Sequence, residues 1–391
     1  MSKATSNRTA ISIIKEVTPG TTPATPAFQA LRFTGESLKS NLTTTVSEEI
    51  RSDRSTANLI PTDQSNAGDI MGEMSGLTYD KLLEGALFAD VTWTTPMAVA
   101  KTTLAVTANG FTDSANGFIT AGLQVGQWVK ASVFTNALNN VYYKILTLSA
   151  GVITTYPAPV AVQAAGTSSF LKGSTITNGV TDSSFSIQKT FNDTTAVTYT
   201  NFKGQRVSTM KVDLAVGAIA KITFGFMGMT STTSESQIAG ATLLPATTTE
   251  IMNCVSNVTN IIAKGAGITT ALNFTDLSMS YDNKLRELKA IGTLGSIDIR
   301  PGTIEAKATI NPYFEDKQLL DAFLANTAFE LSFQITGSDG YSYIFSYPSV
   351  KFTSQDITAG GKDQDLIIKG EVQAILDATS LTTMRIDRFV P

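Results

Sequence analysis

The chain has 391 residues, of which 42% are hydrophobic but only 16% charged, with a net charge of −4, no histidine and one cysteine. Without histidine the commonest general base and metal ligand are missing, and neither a Ser-His-Asp nor a Cys-His arrangement is possible, so ordinary hydrolase chemistry is not expected. A chain without basic excess or basic runs does not grip nucleic acid tightly, and the lone Cys254 rules out disulfides within the chain. No apolar run approaches the ~20 residues of a membrane span, and the first residues lack the apolar core of a signal peptide, so no membrane insertion and assembly in a cytosol are expected.

The length suggests more than one domain, and a composition rich in Thr, Ser, Ala, Gly and Asn suits a mainly β protein. Residues 10–17 alternate loosely as a strand, and the Pro/Gly/Thr-rich residues 17–26 then run over the surface. Residues 28–40 carry Leu31, Phe33 and Leu38 around a turn at Gly35, and read as a strand entering a long polar arm at 41–69. Connections longer than about 15 residues are normally either disordered or functional. At the middle of the arm sits a charged knot of Glu48, Glu49, Arg51, Asp53 and Arg54. The knot is compatible with a short solvated strand or helix, and equally with pairing across a subunit contact, where alternating charge fixes register.

Beyond the arm, residues 70–74 read as a strand and residues 78–89 as a helix with Tyr79, Leu82, Leu83, Ala86 and Leu87 on one face. Residues 93–172 hold four Lys against one Asp and no Arg or Glu, a net +3 that leaves −7 on the remainder. This shift, with short strand-like runs at 104–107, 128–134, 141–148 and 151–155, marks an inserted β-barrel or sandwich module. Its aromatics Trp128, Tyr142 and Tyr143 are expected in the core, a ligand platform being the rival reading. The main body would then be discontinuous, residues 1–92 and 173–391.

Longer strands follow at 185–191, 196–204, 207–216 and 220–229, then a polar stretch at 230–260 with either a loop or a short helix near 250–255. Residues 271–299 alternate through Leu277, Met279 and Tyr281, turn at Asp282–Lys284, and continue through Leu288, Ala290 and Gly292. Residues 313–327 predict the best helix, with Leu319, Leu320, Phe323 and Leu324 apolar and Glu315 and Asp316 in its first turn. A hairpin at 330–336 and 341–347 turns on Gly337–Gly340, and residues 366–375 form a last strand.

No phosphate loop, dinucleotide fingerprint, Cys pair or nucleophile elbow is present. The carboxylate pairs Glu48–Glu49 and Asp363/Asp365 read as solvated loop charges, and Cys254, between apolar residues, as a small buried hydrophobe. No cofactor, metal or catalytic residue is assigned.

The succession Glu16-Val17-Thr18-Pro19-Gly20-Thr21-Thr22-Pro23, Leu31-Arg32-Phe33-Thr34, Ser47 to Arg54, Gly68-Asp69-Ile70-Met71-Gly72-Glu73 and Tyr79-Asp80 resembles the tail tube proteins of long, flexible-tailed bacteriophages. The resemblance is close over residues 11–90 and rests on element order beyond them. It implies a tail-tube-like β-sandwich or barrel with a flanking α-helix, and a structural virion protein rather than an enzyme. It also implies subunits in stacked hexameric rings around a channel for the tape-measure protein and then DNA, with the 93–172 module on the tube exterior. The knot residues Glu48, Glu49, Arg51, Asp53 and Arg54 then become candidate intersubunit contacts, and an acidic body would repel phosphates along the conduit. The rivals are a tail terminator, baseplate or secretion-tube ring protein, and a protein whose module binds glycans through Trp128, Tyr142 and Tyr143.

Overall fold

The computed structural model describes residues 3–93, 97–265, 267–268, 272–359 and 361–391. Among them are 26 strands and two short α-helices, which makes the chain mainly β as its composition predicts. Two compact units emerge: Met1–Phe88 with Val180–Ile251 and Ser278–Lys307, and Ala89–Gly179 with Met252–Leu277 and Ala308–Pro391.

In the first unit the strand Thr198–Ala215 organises the rest. Its first half pairs with Phe185–Phe191 and Thr230–Ser234, and its second half with Lys221–Gly228, which in turn pairs with residues 66–73 of Leu59–Glu73. Gly204, at φ 65°, lies where the strand passes from one set of neighbours to the other. Thr9–Lys15 lies between Phe185–Phe191 and Ala27–Leu31, its Ile11 and Ile13 buried beside Phe185 and Ile187.

At the end of that strand a carboxylate is buried. Glu16 is 6% exposed and faces no cation; its Oε1 accepts from Ser186 Oγ at 2.7 Å and the Gly204 amide at 3.0 Å. Its Oε2 accepts from the Gly20 amide at 2.8 Å and Ser184 Oγ at 2.7 Å. A buried charge is tolerated only when fully hydrogen-bonded, and these four donors supply that. The bond to Gly20, held at φ 78°, folds the Pro/Gly-rich segment back over the strand end, and Thr22 adds a 2.7 Å bond to Ser186.

The helix Asp80–Ala86 is shorter than residues 78–89, but its predicted face is right: Tyr79, Leu82, Leu83, Ala86 and Leu87 are all buried. Tyr79 explains one glycine of the preceding strand. Its hydroxyl donates to the Arg32 carbonyl at 2.9 Å and lies where a Cβ on Gly72 would stand, 1.9 Å away, so residue 72 must be glycine. Burial pushes the Tyr79 hydroxyl pKa up to about 12. The helix packs on Phe185 and Val207 through Gly85, and Asn283 ties it down by donating to the carbonyls of Ala86 and Val207 at 2.8 and 3.0 Å.

The second unit contains a closed barrel of six strands, Gly110–Asp113, Met97–Thr107, Gln163–Lys172, Trp128–Ser132, Tyr142–Leu148 and Val152–Tyr156. Phe111, Phe118, Val129, Tyr143, Ile145 and Ile153 fill it. Trp128 packs with Ile262, Ile344 and Phe389, and Tyr142 sets its ring edge on Phe389 at 5.0 Å, so these aromatics serve packing. The hairpin Phe329–Thr336 with Ser342–Ile357 forms on the expected Gly337–Gly340 turn, and Val258–Lys264 lines its outer edge. The strands Phe274–Asp282 and Glu305–Pro312 pair with one another, and their residues are divided between the units.

Several expectations need correction. Residues 313–327 yield only the helix Gln318–Leu324, because Tyr313, bridged to Ile367, donates its amide to the Asn273 carbonyl and Phe314 donates to the Leu366 carbonyl, both at 2.9 Å, so that the two stay extended. Its buried face is Leu319 and Ala322, while Leu324 is exposed. Residues 250–255 form no helix; Ile251 bridges to Ser75, and the Asn253 side chain accepts from the amides of Val255 and Ser256 in a turn. Cys254 is half-buried rather than buried. The alternation through Leu288, Ala290 and Gly292 breaks into a short hairpin, Arg286–Leu288 with Asp298–Arg300; residue 271, at the head of that stretch, lies outside the described residues. Leu366 is exposed ahead of the strand Ile368–Ala374, which is followed by an unforeseen buried strand, Arg385–Phe389.

Replacing Glu16 removes four charge-assisted bonds and leaves their donors buried. Glu16→Ala is expected to destabilise the fold by about 3 kcal/mol, measured as a lower denaturation midpoint in urea at unchanged slope. Gly72→Ala should cost about 2 kcal/mol by pressing on the Tyr79 ring, and Tyr79→Leu in the same chain should recover part of that loss.

Candidate assembly interface

The arm at 41–69 is a β-hairpin. Lys39–Val46 and Leu59–Glu73 pair antiparallel from Lys39↔Ala67 to Val46↔Leu59, with a register shift between Thr43 and Thr44. Every residue of Lys39–Val46 is exposed, and Leu59–Thr62 are exposed opposite it. Residues 66–73 of Leu59–Glu73 are rooted in the first unit through their pairing with Lys221–Gly228, and the outer part of the hairpin, Thr43–Val46 opposite Leu59–Thr62, about 13 Å of strand, reaches past buried structure. An isolated two-stranded hairpin is marginal in water, and one exposed on both faces gains nothing from a core.

Why this segment forms strands follows from its side chains. Thr43, Thr44 and Thr45 are β-branched, and Thr45 Oγ1 meets Thr62 Oγ1 at 3.0 Å across the ladder. Leu42, Thr44 and Val46 alternate along one face, where Val46 opposes Leu59 and Thr44 opposes Pro61. That face is therefore an exposed stripe of aliphatic groups among threonines. Gly68, at φ 147°, sits where any Cβ would strike the Ser37 carbonyl oxygen at 2.4 Å; the Ser37 amide donates to the Asp69 carbonyl, and the Asp69 amide to Ser37 Oγ, both at 2.9 Å. The glycine lets the hairpin's two roots close on each other.

Two contacts steady the stem. Lys289 ion-pairs with Asp63 and, at 2.8 Å, with Glu287, holding the Asp63 carboxyl below the usual range. Asn66, fully buried, donates from Nδ2 to the Met229 carbonyl at 3.1 Å.

All five residues of the charged knot fall in the loop that joins the two strands. Ser47 donates to the Asn58 carbonyl at 2.9 Å to close its neck, and Arg54 donates to the Arg51 carbonyl at 3.2 Å in a turn that holds Arg54 at φ 63°. Arg51 grips Asp53 with both nitrogens, Nε to Oδ1 at 3.0 Å and Nη2 to Oδ2 at 2.8 Å, which holds the Asp53 carboxyl below its ordinary value. Arg51 and Asp53 thus shape the tip. Glu48, Glu49 and Arg54 are exposed and make no ion pair among the described residues, and Ile50, 99% exposed, stands beside the two glutamates. The knot is neither helix nor strand.

The second hairpin, Arg286–Leu288 with Asp298–Arg300, was read in sequence only as continued alternation. Its loop shows Ile291 fully exposed, with Leu288, Leu294 and Ile297 also exposed, on a turn held by Gly292 at φ 88° and Gly295 at φ 90°. Two glycines bracketing aliphatics in a polar setting was the legible signal. Gly295 lies against the backbone at Gln64 and Met229, so this loop stands at the foot of the arm.

None of the other candidate sites assembles. Asp363 and Asp365 are exposed loop residues, and Trp128 and Tyr143 are buried. Among the described residues no helix is long and apolar enough to cross a membrane.

Comparison with curated proteins gives no match. A family model described as phage tail tube protein matches residues 6–375, which takes in the Glu16 turn, both hairpins, the barrel and the strand Ile368–Ala374. The chain belongs to the phage tail tube protein family, a family of structural virion components.

Proposed function

We propose that this chain builds the tail tube of a long, flexible-tailed phage by closing into hexameric rings that stack around a channel. The tape-measure protein occupies that channel first and DNA passes through it on ejection. The observation that carries the reading is the arm: a hairpin whose outer part, Thr43–Val46 opposite Leu59–Thr62, has both faces in water over about 13 Å and whose tip carries Glu48, Glu49 and Arg54 without an ion pair among the described residues is stable and purposeful once a second copy covers it. Tubes need contacts between unlike surfaces of successive copies, and an arm supplies one of the two surfaces. In this reading residues 1–92 and 173–391 form the tube body, and the positively charged 93–172 module stands on the exterior, leaving the acidic body to line a channel that repels phosphates. Glu48, Glu49, Arg51, Asp53 and Arg54 act in intersubunit contact.

Negative-stain electron microscopy of the purified chain should show rings or tubes that lengthen with concentration; persistent monomers, even beside the other tail proteins, would overturn the reading. Reversing Arg51 and Arg54 to Glu should shorten or abolish tubes while shifting the thermal midpoint by no more than a few degrees, because exposed ion pairs contribute about 1 kcal/mol or less. A cryo-EM reconstruction of the tube should show an acidic channel wall with the barrel outside it; a neutral or basic wall would remove the phosphate-repulsion account.

A further inference from the structure

Resting on the assembly reading above, we infer that the outer face of the hairpin Arg286–Leu288/Asp298–Arg300 is the seat for the arm tip of a second copy, with the Glu48–Glu49 doublet meeting Arg286 and Arg300. The hairpin pairs Arg286 directly opposite Arg300. Like charges facing each other across a ladder destabilise it, so the arrangement asks for an acidic partner. Within the chain that partner is incomplete. Arg300 bonds Asp298 through Nε at 2.7 Å, but Asp298 also serves the buried Arg206 at 3.0 Å. Glu287, on the opposite face, is committed to Lys289 at 2.8 Å. Arg286 is exposed and makes no ion pair among the described residues.

The tip presents the complement. Glu48 and Glu49 are adjacent and exposed and make no ion pair among the described residues, and Arg51 is closed onto Asp53. The apolar groups match too. Ile50, next to the glutamates, is 99% exposed, and the seat offers Leu288 on the arginine face with Ile291 and Leu294 in the adjoining loop. Each surface carries paired charge of one sign beside exposed aliphatics, and the signs are opposite.

Connectivity favours a second copy over self-contact. The seat lies at the foot of its own arm, where Lys289 holds Asp63 and Gly295 touches the backbone of Gln64, while the tip lies at the far end of the paired strands. A copy displaced by one arm length places its foot at the first copy's tip. The contact is then heterologous, each subunit giving a tip and offering a seat, and it propagates along a row instead of closing a dimer.

The test is a charge swap on the full chain, read as tube mass and length by pelleting and negative stain. Glu48→Arg/Glu49→Arg and Arg286→Glu/Arg300→Glu should each cut tube yield about tenfold or more, since like-charge juxtaposition across an interface costs several kcal/mol. All four changes together should restore most of the yield. Circular dichroism identifies a variant that fails to fold. Should Arg286→Glu/Arg300→Glu fail, Arg286→Gln replaces it, in a double-mutant cycle with Glu48→Gln/Glu49→Gln whose losses should be non-additive. Wild-type chains that form tubes while either folded reversal assembles normally, or while the swap stays inactive, would overturn this pairing alone. Wild-type chains that form no tubes would overturn the assembly reading itself.

Discussion

The fold of the first unit depends on one buried carboxylate. Glu16 ends the strand Thr9–Lys15, and its two oxygens collect donors from three chain segments: the Gly20 turn, the serines ahead of and inside Phe185–Phe191, and the amide of Gly204. Gly204 stands where the strand Thr198–Ala215 passes between its two sets of neighbours, so the same carboxylate fixes the break in that strand. A hydrophobic side chain there would leave four donors without partners, and a solvated one would leave the turn loose. Removal of charge from water is unfavourable, and the geometry offsets it only when every donor is in place. Glu16 therefore specifies an arrangement more than it adds stability.

From that constraint the arm follows. The strand Thr198–Ala215 positions Lys221–Gly228, which positions the root of Leu59–Glu73. Gly72 admits the Tyr79 ring and Gly68 admits the Ser37 carbonyl, so two glycines in one short motif set the angle at which the hairpin leaves the unit. Glu16, Gly68, Gly72 and Tyr79 are thus a mechanical set: a buried acid, two close-approach glycines and a tyrosine seated against the second of them.

Much of this was legible in the sequence, for stated reasons. The alternation of Phe185–Phe191 and Lys221–Gly228, the Gly337–Gly340 turn and the face of the first helix are local signals that tertiary packing reinforces. The arm's location and its charged knot were also readable, because length and polarity mark a segment that no core can use. Its strands were hidden, since a hairpin exposed on both faces has no polar and apolar alternation to betray it. The strand Arg385–Phe389 was hidden for the opposite reason: its five residues are all buried, and Arg385 pairs with Asp387 at 3.0 Å inside, so charge masks a core strand. The second helix was overestimated because Tyr313 and Phe314 join a neighbouring strand segment, a long-range choice that helical periodicity does not contain.

The arm poses a problem that its sequence also answers. Unpaired edges on an exposed hairpin invite random pairing with any other strand, and aliphatic side chains on its face invite collapse. Here the aliphatics are diluted by threonine, Pro61 removes one donor from the outer strand, and the register shift at Thr43 and Thr44 twists the ladder out of flat pairing. The most exposed aliphatic, Ile50, sits between an acidic doublet and the Arg51–Asp53 clasp, so it is reached only by a surface that also satisfies charge. Indiscriminate contact is suppressed along the strands, and selectivity is concentrated at the tip. An assembly that must remain soluble as subunits and lengthen without branching requires that division, because specificity comes as much from penalising wrong partners as from rewarding the right one.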